Sequence, residues 1–162
     1  MGPKDVIAKT LDMSEMVIGK YLADLSDADL KLEPIEGMNP IALQLGHLIA
    51  SERRMVEMVK PGLSPALPEG FAEKHDLKKP SSDLSRFSSK EEYLKLWDAQ
   101  RAATKKALDS VTDAELDDTR DGKLPEFIPT VAAVLNMAGL HAFNHSGQFV
   151  AVRRFLKKPI AF

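Results

Sequence analysis

Apolar residues recur at helical spacing in four long segments of the chain, with charged and polar residues between them. In the first segment, about Lys4 to Leu25, the positions that follow this spacing are Val6, Ile7, Met13, Met16, Val17, Tyr21 and Leu22. The fourth segment, Thr130 to about Lys157, is the longest and is rich in alanine, valine, leucine and phenylalanine. No strand pattern, internal repeat or low-complexity stretch stands out. The pattern therefore predicts an all-α protein.

Start and stop signals support the two middle helices. Asn39-Pro40 suits the beginning of the second helix, with asparagine as the cap and proline in the first turn, and Pro61-Gly62 ends it. The third helix begins at Ser88 or Ser89, each of which has a glutamate three residues later, the pattern of a capping box. It is predicted to run to about Ser110.

Connections of unequal length join these helices. Residues 61 to 88 contain four prolines (Pro61, Pro65, Pro68 and Pro80) and predict a long ordered crossover rather than a strand. Thr112 to Leu116 predicts a short helical turn, capped by Thr112 and Glu115, and Leu124, Phe127 and Ile128 suggest a short extended piece. Four long helices with one long crossover between the second and third predict a four-helix bundle.

Composition narrows the class of protein. A chain of 162 residues is the size of one domain, so we expect a single domain over residues 1–162. With 28% charged residues, a net charge of −2 and scattered lysine and arginine, nucleic acid is not an expected partner. There is no signal-peptide pattern and no apolar stretch of membrane-spanning length, so we expect a cytoplasmic protein without a membrane partner. The absence of cysteine excludes disulfides and thiolate ligands.

Three of the four histidines fall in the apolar helical segments. His141 and His145 are four residues apart, which places them on one helix face about 6 Å apart along the axis. His47 lies on the second helix. The face of His47 also carries Leu43, Gln44, Ala50, Ser51 and Arg54. The face of His141 and His145 carries Val134, Met137, Ala138, Gln148, Phe149 and Val152. Both faces are mainly apolar, so both are expected to point into the bundle.

Three imidazoles brought together in a dry interior favour a divalent metal. A neutral ring needs a partner for both of its nitrogens, and a buried ring without partners costs free energy. A cation satisfies one nitrogen of each ring, and three protein ligands leave a coordination position for water or a substrate group. Imidazole binds zinc, nickel, iron and copper alike, so the ligands do not identify the metal. Two alternatives stay open: His47 as a hydrogen-bonded core residue, and the pair His141 and His145 as a surface feature.

The other candidate residues are weaker. His75 lies beside charged residues in the proline-rich crossover and is expected to be solvated. Glu52 is near His47 in sequence but about 140° around the helix from it, and a solvated glutamate is the expectation, with a role toward an adjacent helix or a dimer contact as the alternative. Gln148, one turn after His145, is a candidate to line a pocket or to hydrogen-bond a metal-ligating histidine. Trp97 is expected in the core. No catalytic residue is assigned.

The two histidine segments together resemble the DinB-like superfamily. Residues 39–52, Asn-Pro-Ile-Ala-Leu-Gln-Leu-Gly-His-Leu-Ile-Ala-Ser-Glu, are similar to its second helix, and residues 141–148, His-Ala-Phe-Asn-His-Ser-Gly-Gln, to its last helix. The resemblance implies an up-down-down-up four-helix bundle, usually a homodimer, with His47, His141 and His145 as ligands of one zinc or nickel ion. Family members include thiol-dependent S-transferases and a mycothiol-dependent maleylpyruvate isomerase.

The functional hypothesis follows from that resemblance. A metal at the three histidines would hold a low-molecular-weight thiol as the thiolate, which attacks a small electrophilic molecule; lowering the thiol pKa from about 8.5 enlarges the reactive fraction at neutral pH. Activation of water instead of a thiol would give a hydrolase. The alternative from another class is a bundle that binds a metal or ligand in a stress response without catalysing a reaction.

Overall fold

The computed structural model describes residues 1–79 and 83–160, and within them all regular structure is helical. This described part contains five α-helices: α1 (Pro3–Leu22), α2 (Ile41–Val59), α3 (Phe71–Lys74), α4 (Lys90–Ser110) and α5 (Val131–Phe155). Short 3-10 turns lie at Asp29–Lys31, Leu84–Arg86, Ala114–Asp117 and Arg120–Gly122. The predicted all-α helical bundle is confirmed, with α1, α2, α4 and α5 as its long helices.

Side-chain caps explain where two of the helices begin. Ser89 Oγ accepts a hydrogen bond of 3.2 Å from the amide of Glu92, and Thr130 Oγ1 accepts one of 3.2 Å from the amide of Ala133. Both caps occupy predicted positions. At α2 the prediction is wrong by one residue, because Pro40 is the cap and the Asn39 side chain makes no capping bond.

Long-range hydrogen bonds give the relative directions of α1, α4 and α5. Lys4 Nζ donates to the carbonyl of Val111 at 2.8 Å, which joins the start of α1 to the end of α4. Arg153 near the end of α5 donates to the carbonyl of Tyr21 near the end of α1 at 2.8 Å. Thus α4 runs antiparallel to α1, whereas α5 runs parallel to it.

Helix α2 runs alongside α4 in the same direction and opposite to α5. Lys60, just after α2, pairs with Glu115, just after α4, at 3.3 Å, and Gln44 near the start of α2 contacts His145 in the second half of α5. A chain that leaves α2 must return along the bundle before α4 can begin in the same direction. This geometry is the reason for the long crossover that the prolines indicate, of which residues 80–82 lie outside the described part.

The connections pack onto the helices rather than forming strands. Phe71 and Phe87 of the crossover are buried against the core cluster that contains Trp97, which is buried as predicted. The short extended piece predicted around Leu124, Phe127 and Ile128 is wrong: Ile128 is buried, but this segment consists of turns, bends and irregular backbone. Among the described residues, no helix is both long enough and apolar enough to cross a membrane.

Candidate metal centre

The rings of His47, His141 and His145 converge between α2 and α5. Their centroids are separated by 5.1 Å (His47 to His141), 5.3 Å (His47 to His145) and 4.8 Å (His141 to His145). One nitrogen of each ring lies within 4.8 Å of one nitrogen of each of the others. The three residues that the sequence singles out are therefore positioned to bind one metal ion.

The spacing of the ring nitrogens fits a shared cation. Nε2 of His141 and Nε2 of His145 are 3.2 Å apart. Two imidazole nitrogens at the usual zinc distance of about 2.0–2.1 Å and a tetrahedral angle are separated by roughly 3.3 Å. With all pairs within 4.8 Å, a side-chain adjustment of about an ångström completes the three-nitrogen set.

A glutamine orients one of the rings. Nδ1 of His145 lies 3.0 Å from Oε1 of Gln44, and the amide nitrogen of Gln44 donates to the carbonyl of Asn39 at 2.7 Å. Because Oε1 only accepts, the ring proton of His145 must sit on Nδ1, which leaves the lone pair of Nε2 directed toward the other two histidines. Hydrogen bonds of this kind fix the tautomer of metal-binding histidines and raise their basicity as ligands. The sequence placed Gln44 on the same helix face as His47, but it did not predict the hydrogen bond from His145 to Gln44.

Burial keeps the three rings neutral. Removal from water lowers the pKa of His47 and of His145 to about 4, and it also lowers the pKa of His141. His145 is only 4% exposed, while His47 and His141 are partly exposed. At neutral pH each ring therefore offers an unprotonated nitrogen, the form that binds a cation.

Gln148 lies on the outer side of α5. It is exposed and contributes to neither of the cavities beside the triad. The amide that contacts a histidine ring is that of Gln44 instead. These positions give no support to the prediction that Gln148 lines the pocket or hydrogen-bonds a metal-ligating histidine, which stays a prediction.

The prediction that His75 is solvated is wrong. The residue is 2% exposed, its Nδ1 donates to the carbonyl of Phe71 at 2.7 Å, and its Nε2 accepts from the hydroxyl of Tyr93 at 2.7 Å. Its ring packs directly on Gly46, where an added Cβ would lie 2.0 Å from His75 Cδ2. His75 thus fastens the crossover to α4 and to the turn of α2 that carries His47. Its charged sequence neighbours gave no signal of this burial.

The prediction that Glu52 is solvated is also wrong. Glu52 faces away from the triad and pairs with Arg101 of α4, with Nε 3.1 Å from Oε1 and Nη2 donating to Oε2 at 3.1 Å. Both side chains are at most 2% exposed. Thr104 Oγ1 donates to Oε1 of the same carboxylate at 2.6 Å. Glu52 therefore serves the adjacent helix, the alternative that the sequence had left open, and lies outside the candidate metal centre.

Two cavities border the triad and share His47 and Arg54. One, of about 330 Å³, has His47 and His141 in its wall and is otherwise mainly apolar. Its apolar lining consists of Met55, Met58, Pro125, Phe127, Ile128 and Met137. The other, of about 570 Å³, is lined by crossover residues that include Glu73, Asp76 and Lys78. The triad is thus open to small molecules on two sides.

The protein is thus a helical bundle in which two facing helices, α2 and α5, bring three histidines into position for one metal ion. The profile of the DinB superfamily matches residues 10–149, which is most of the 162-residue chain. The chain belongs to the DinB superfamily. The resemblance noted in residues 39–52 and 141–148 is therefore confirmed.

Other comparisons bear on the fold alone. The chain is similar to a conserved protein from Enterococcus faecalis of known crystal structure, with 22% identity and a TM-score of 0.74. The likeness covers 97% of this chain and 98% of that one. The comparison with curated proteins gave no match.

Proposed function

We propose that this DinB superfamily protein is a metal-dependent enzyme that acts on a small electrophilic molecule, as a thiol-dependent S-transferase or a hydrolase. His47, His141 and His145 would hold one divalent cation, zinc or nickel. The single observation that carries the proposal is the convergence of three neutral imidazoles, all pairs of ligand atoms within 4.8 Å, beside cavities of substrate size.

The donor set suits the proposed chemistry. A divalent cation with three histidine ligands keeps a position for an exogenous group and lowers the pKa of a thiol or water bound there. The chain supplies the remainder: Gln44 holds His145 in the ligating tautomer, and Met55 and Met137 contribute to the apolar wall of the adjoining cavity. With no cysteine in the chain, the sulfur nucleophile of an S-transferase would come from a co-substrate.

The first test measures metal content. We expect wild-type protein to retain about one zinc or nickel ion per chain, as the three-ligand site implies, and His141→Ala to lose it. Loss of a hydrogen bond to a ligand already lowers metal affinity by about 10–100-fold, and loss of the ligand itself should lower it further. Inductively coupled plasma mass spectrometry after dialysis gives the stoichiometry, and titration with a competing chelator gives the affinity.

Gln148→Ala is the matched control for that test, because Gln148 is exposed on the same helix. Circular dichroism shows whether each variant remains folded. Unchanged stoichiometry and affinity in a folded His141→Ala protein would remove the proposed centre.

A second candidate function is metal or ligand binding without turnover. One observation favours it: among the described lining residues of the 330 Å³ cavity there is no carboxylate to act as a general base. We expect zinc- or nickel-loaded protein to accelerate the reaction of a model electrophile such as chlorodinitrobenzene with at least one low-molecular-weight thiol, or else the hydrolysis of an activated ester. The His141→Ala protein should lack this activity. Metal-loaded protein that consumes neither the thiol nor the ester would favour the binding function instead.

The sequence analysis also predicted a homodimer, a cytoplasmic location, and the absence of nucleic-acid and membrane partners. These stay predictions.

A further inference from the structure

One positively charged side chain is among the described lining residues of the 330 Å³ cavity. Arg54 is the charged residue among its described lining residues, and it is exposed. Arg54 Nη2 donates to the hydroxyl of Ser51 at 3.0 Å, and no carboxylate of the described residues forms an ion pair with the guanidinium. A guanidinium has five N–H donors in a planar fork, so most of this donor capacity is left for a ligand or solvent beside the two cavities that Arg54 lines.

Arg54 is in register with the triad. His47, Ser51 and Arg54 all belong to α2 and line the same cavity. Seven residues are nearly two turns of an α-helix, so His47 and Arg54 share one face with their Cα atoms about 10 Å apart along the axis. An anion held by Arg54 would therefore have the rest of its molecule extending along α2 toward the histidines.

The remaining walls favour an apolar body for that molecule. Met55, Met58, Met137 and Ile128 lie along the cavity, and Phe127, which is 75% exposed, also lines it. Methionine side chains adapt to ligands of different shapes. A cavity of about 330 Å³ lies within the range of small-molecule sites. The neighbouring 570 Å³ cavity also has Arg54 in its lining, but its other lining residues carry charges of both signs and it includes only His47 of the triad.

We propose that the 330 Å³ cavity binds a small, mainly apolar molecule bearing one carboxylate, with Arg54 holding the carboxylate and the apolar body lying against the methionines. The proposal deepens the proposed function, on which it rests, by naming the substrate class: an apolar carboxylic acid whose reactive group faces His47 and His141. A planar guanidinium matches a carboxylate through two parallel hydrogen bonds. Arg54 is then a binding residue of the substrate.

The test uses the methionine methyl groups as reporters. In metal-loaded, methyl-labelled protein, phenylacetate is titrated against its neutral isostere phenylacetamide and followed by NMR. We expect phenylacetate to shift the methyl signals of Met55, Met58 and Met137 and to bind about tenfold more tightly than the amide, the ratio that one charge-assisted hydrogen-bonded pair supplies. Met13 and Met16, exposed on α1, serve as internal references.

Two charge variants separate this site from a general effect of charge. Arg54→Gln should remove the preference for the carboxylate, whereas Arg53→Gln, with the same change of net charge one residue away and outside the cavity lining, should retain it. Equal binding of the two probes to wild type, shifts confined to other methionines, or a carboxylate preference that survives Arg54→Gln would each overturn the proposal. The last result would mean that the carboxylate is held elsewhere, for example by the metal.

The two proposals fail in different measurements. The metal-centre proposal is tested by the metal stoichiometry. The carboxylate proposal is tested by the difference in affinity between phenylacetate and phenylacetamide and by how that difference changes in the two arginine variants. The same titration of chelator-treated wild-type protein completes the separation, since neither Arg54 nor the reporter methionines Met55, Met58 and Met137 are among the proposed metal ligands. A carboxylate preference that disappears with the metal would count against Arg54.

Discussion

Replacement of Arg101 by methionine is expected to lower the free energy of unfolding by about 3–5 kcal/mol, because it leaves the buried carboxylate of Glu52 without its counter-charge. Arg101 also donates to Ser14 Oγ at 3.2 Å and stacks over Trp97 at 4.7 Å, so α1, α2 and α4 all lose a contact. Urea denaturation followed by circular dichroism measures the change.

The double variant Glu52→Leu with Arg101→Met distinguishes a stranded charge from a simple loss of packing. Replacement of both members of a buried ion pair by apolar residues is often neutral or stabilising, so the double variant should recover most of the lost stability. The hydroxyl of Thr104 keeps its 3.1 Å bond to the carbonyl of Gln100 in that protein. A double variant as unstable as Arg101→Met would contradict this explanation.

The destabilisation is expected to depend on pH. Burial raises the pKa of Glu52 above its ordinary value of 4.5, and Arg101 opposes that shift. Without Arg101 the folded protein favours the protonated carboxyl, so stability is retained at low pH and lost as the pH rises through the raised pKa. The loss in Arg101→Met should therefore be smaller at pH 5 than at pH 8. Lys105→Ala, which removes a partly exposed ion pair of α4 with Asp12 and Glu15, should cost less than about 1 kcal/mol and supplies the surface control.

Gly46→Ala should release the crossover from the bundle and destabilise the protein by about 2–4 kcal/mol. The added methyl group would lie 2.0 Å from Cδ2 and 2.1 Å from Cγ of His75. The ring cannot simply turn away, because both of its nitrogens are hydrogen-bonded, to Phe71 and to Tyr93. Expulsion of the ring would cost the buried Tyr93 hydroxyl its bond to Nε2 of His75 and leave it with its hydrogen bond to the backbone of Ser88. The free energy of unfolding measures the destabilisation, and hydrogen exchange at residues 71–79 measures the release of the crossover.

Gly19→Ala is the control for this substitution, since Gly19 is an exposed position of α1 with no atom within 4 Å of the added methyl group. It should be neutral or stabilising by up to about 1 kcal/mol. In the background His75→Ala, the substitution Gly46→Ala should cost little, because the ring that it meets is gone. Additive losses from Gly46→Ala and His75→Ala would show that the two positions are not coupled through this contact.

Much of the fold and the candidate site could be predicted from local patterns. Helical periodicity identified the long helices, and the serine capping pattern placed the start of α4, because both signals lie in residues close together along the chain. The spacing of His141 and His145 placed both rings on one helix face for the same reason. The apolar surroundings of His47 then indicated that it pointed inward.

Contacts between distant segments could not be obtained this way. Charged neighbours made His75 look solvated, but its burial depends on the crossover packing over Gly46 and on Tyr93, 18 residues later. Glu52 looked solvated because its partner Arg101 is 49 residues away. Gln44 and Arg54 were placed on the correct face of α2, yet their roles depend on what α5 and the loop before it bring opposite them.

The helical architecture, the superfamily and the three histidines could be read from the amino-acid sequence, since these follow from periodicity, caps and motifs within single helices. The packing of the helices was needed to establish that the histidine nitrogens lie close enough for one cation, that Gln44 orients His145, and that an apolar cavity lined in part by Arg54 adjoins them. The physical reason is that burial and the pairing of polar groups depend on how helices from distant parts of the chain pack together, and a helix's own sequence does not contain the surface that will face it.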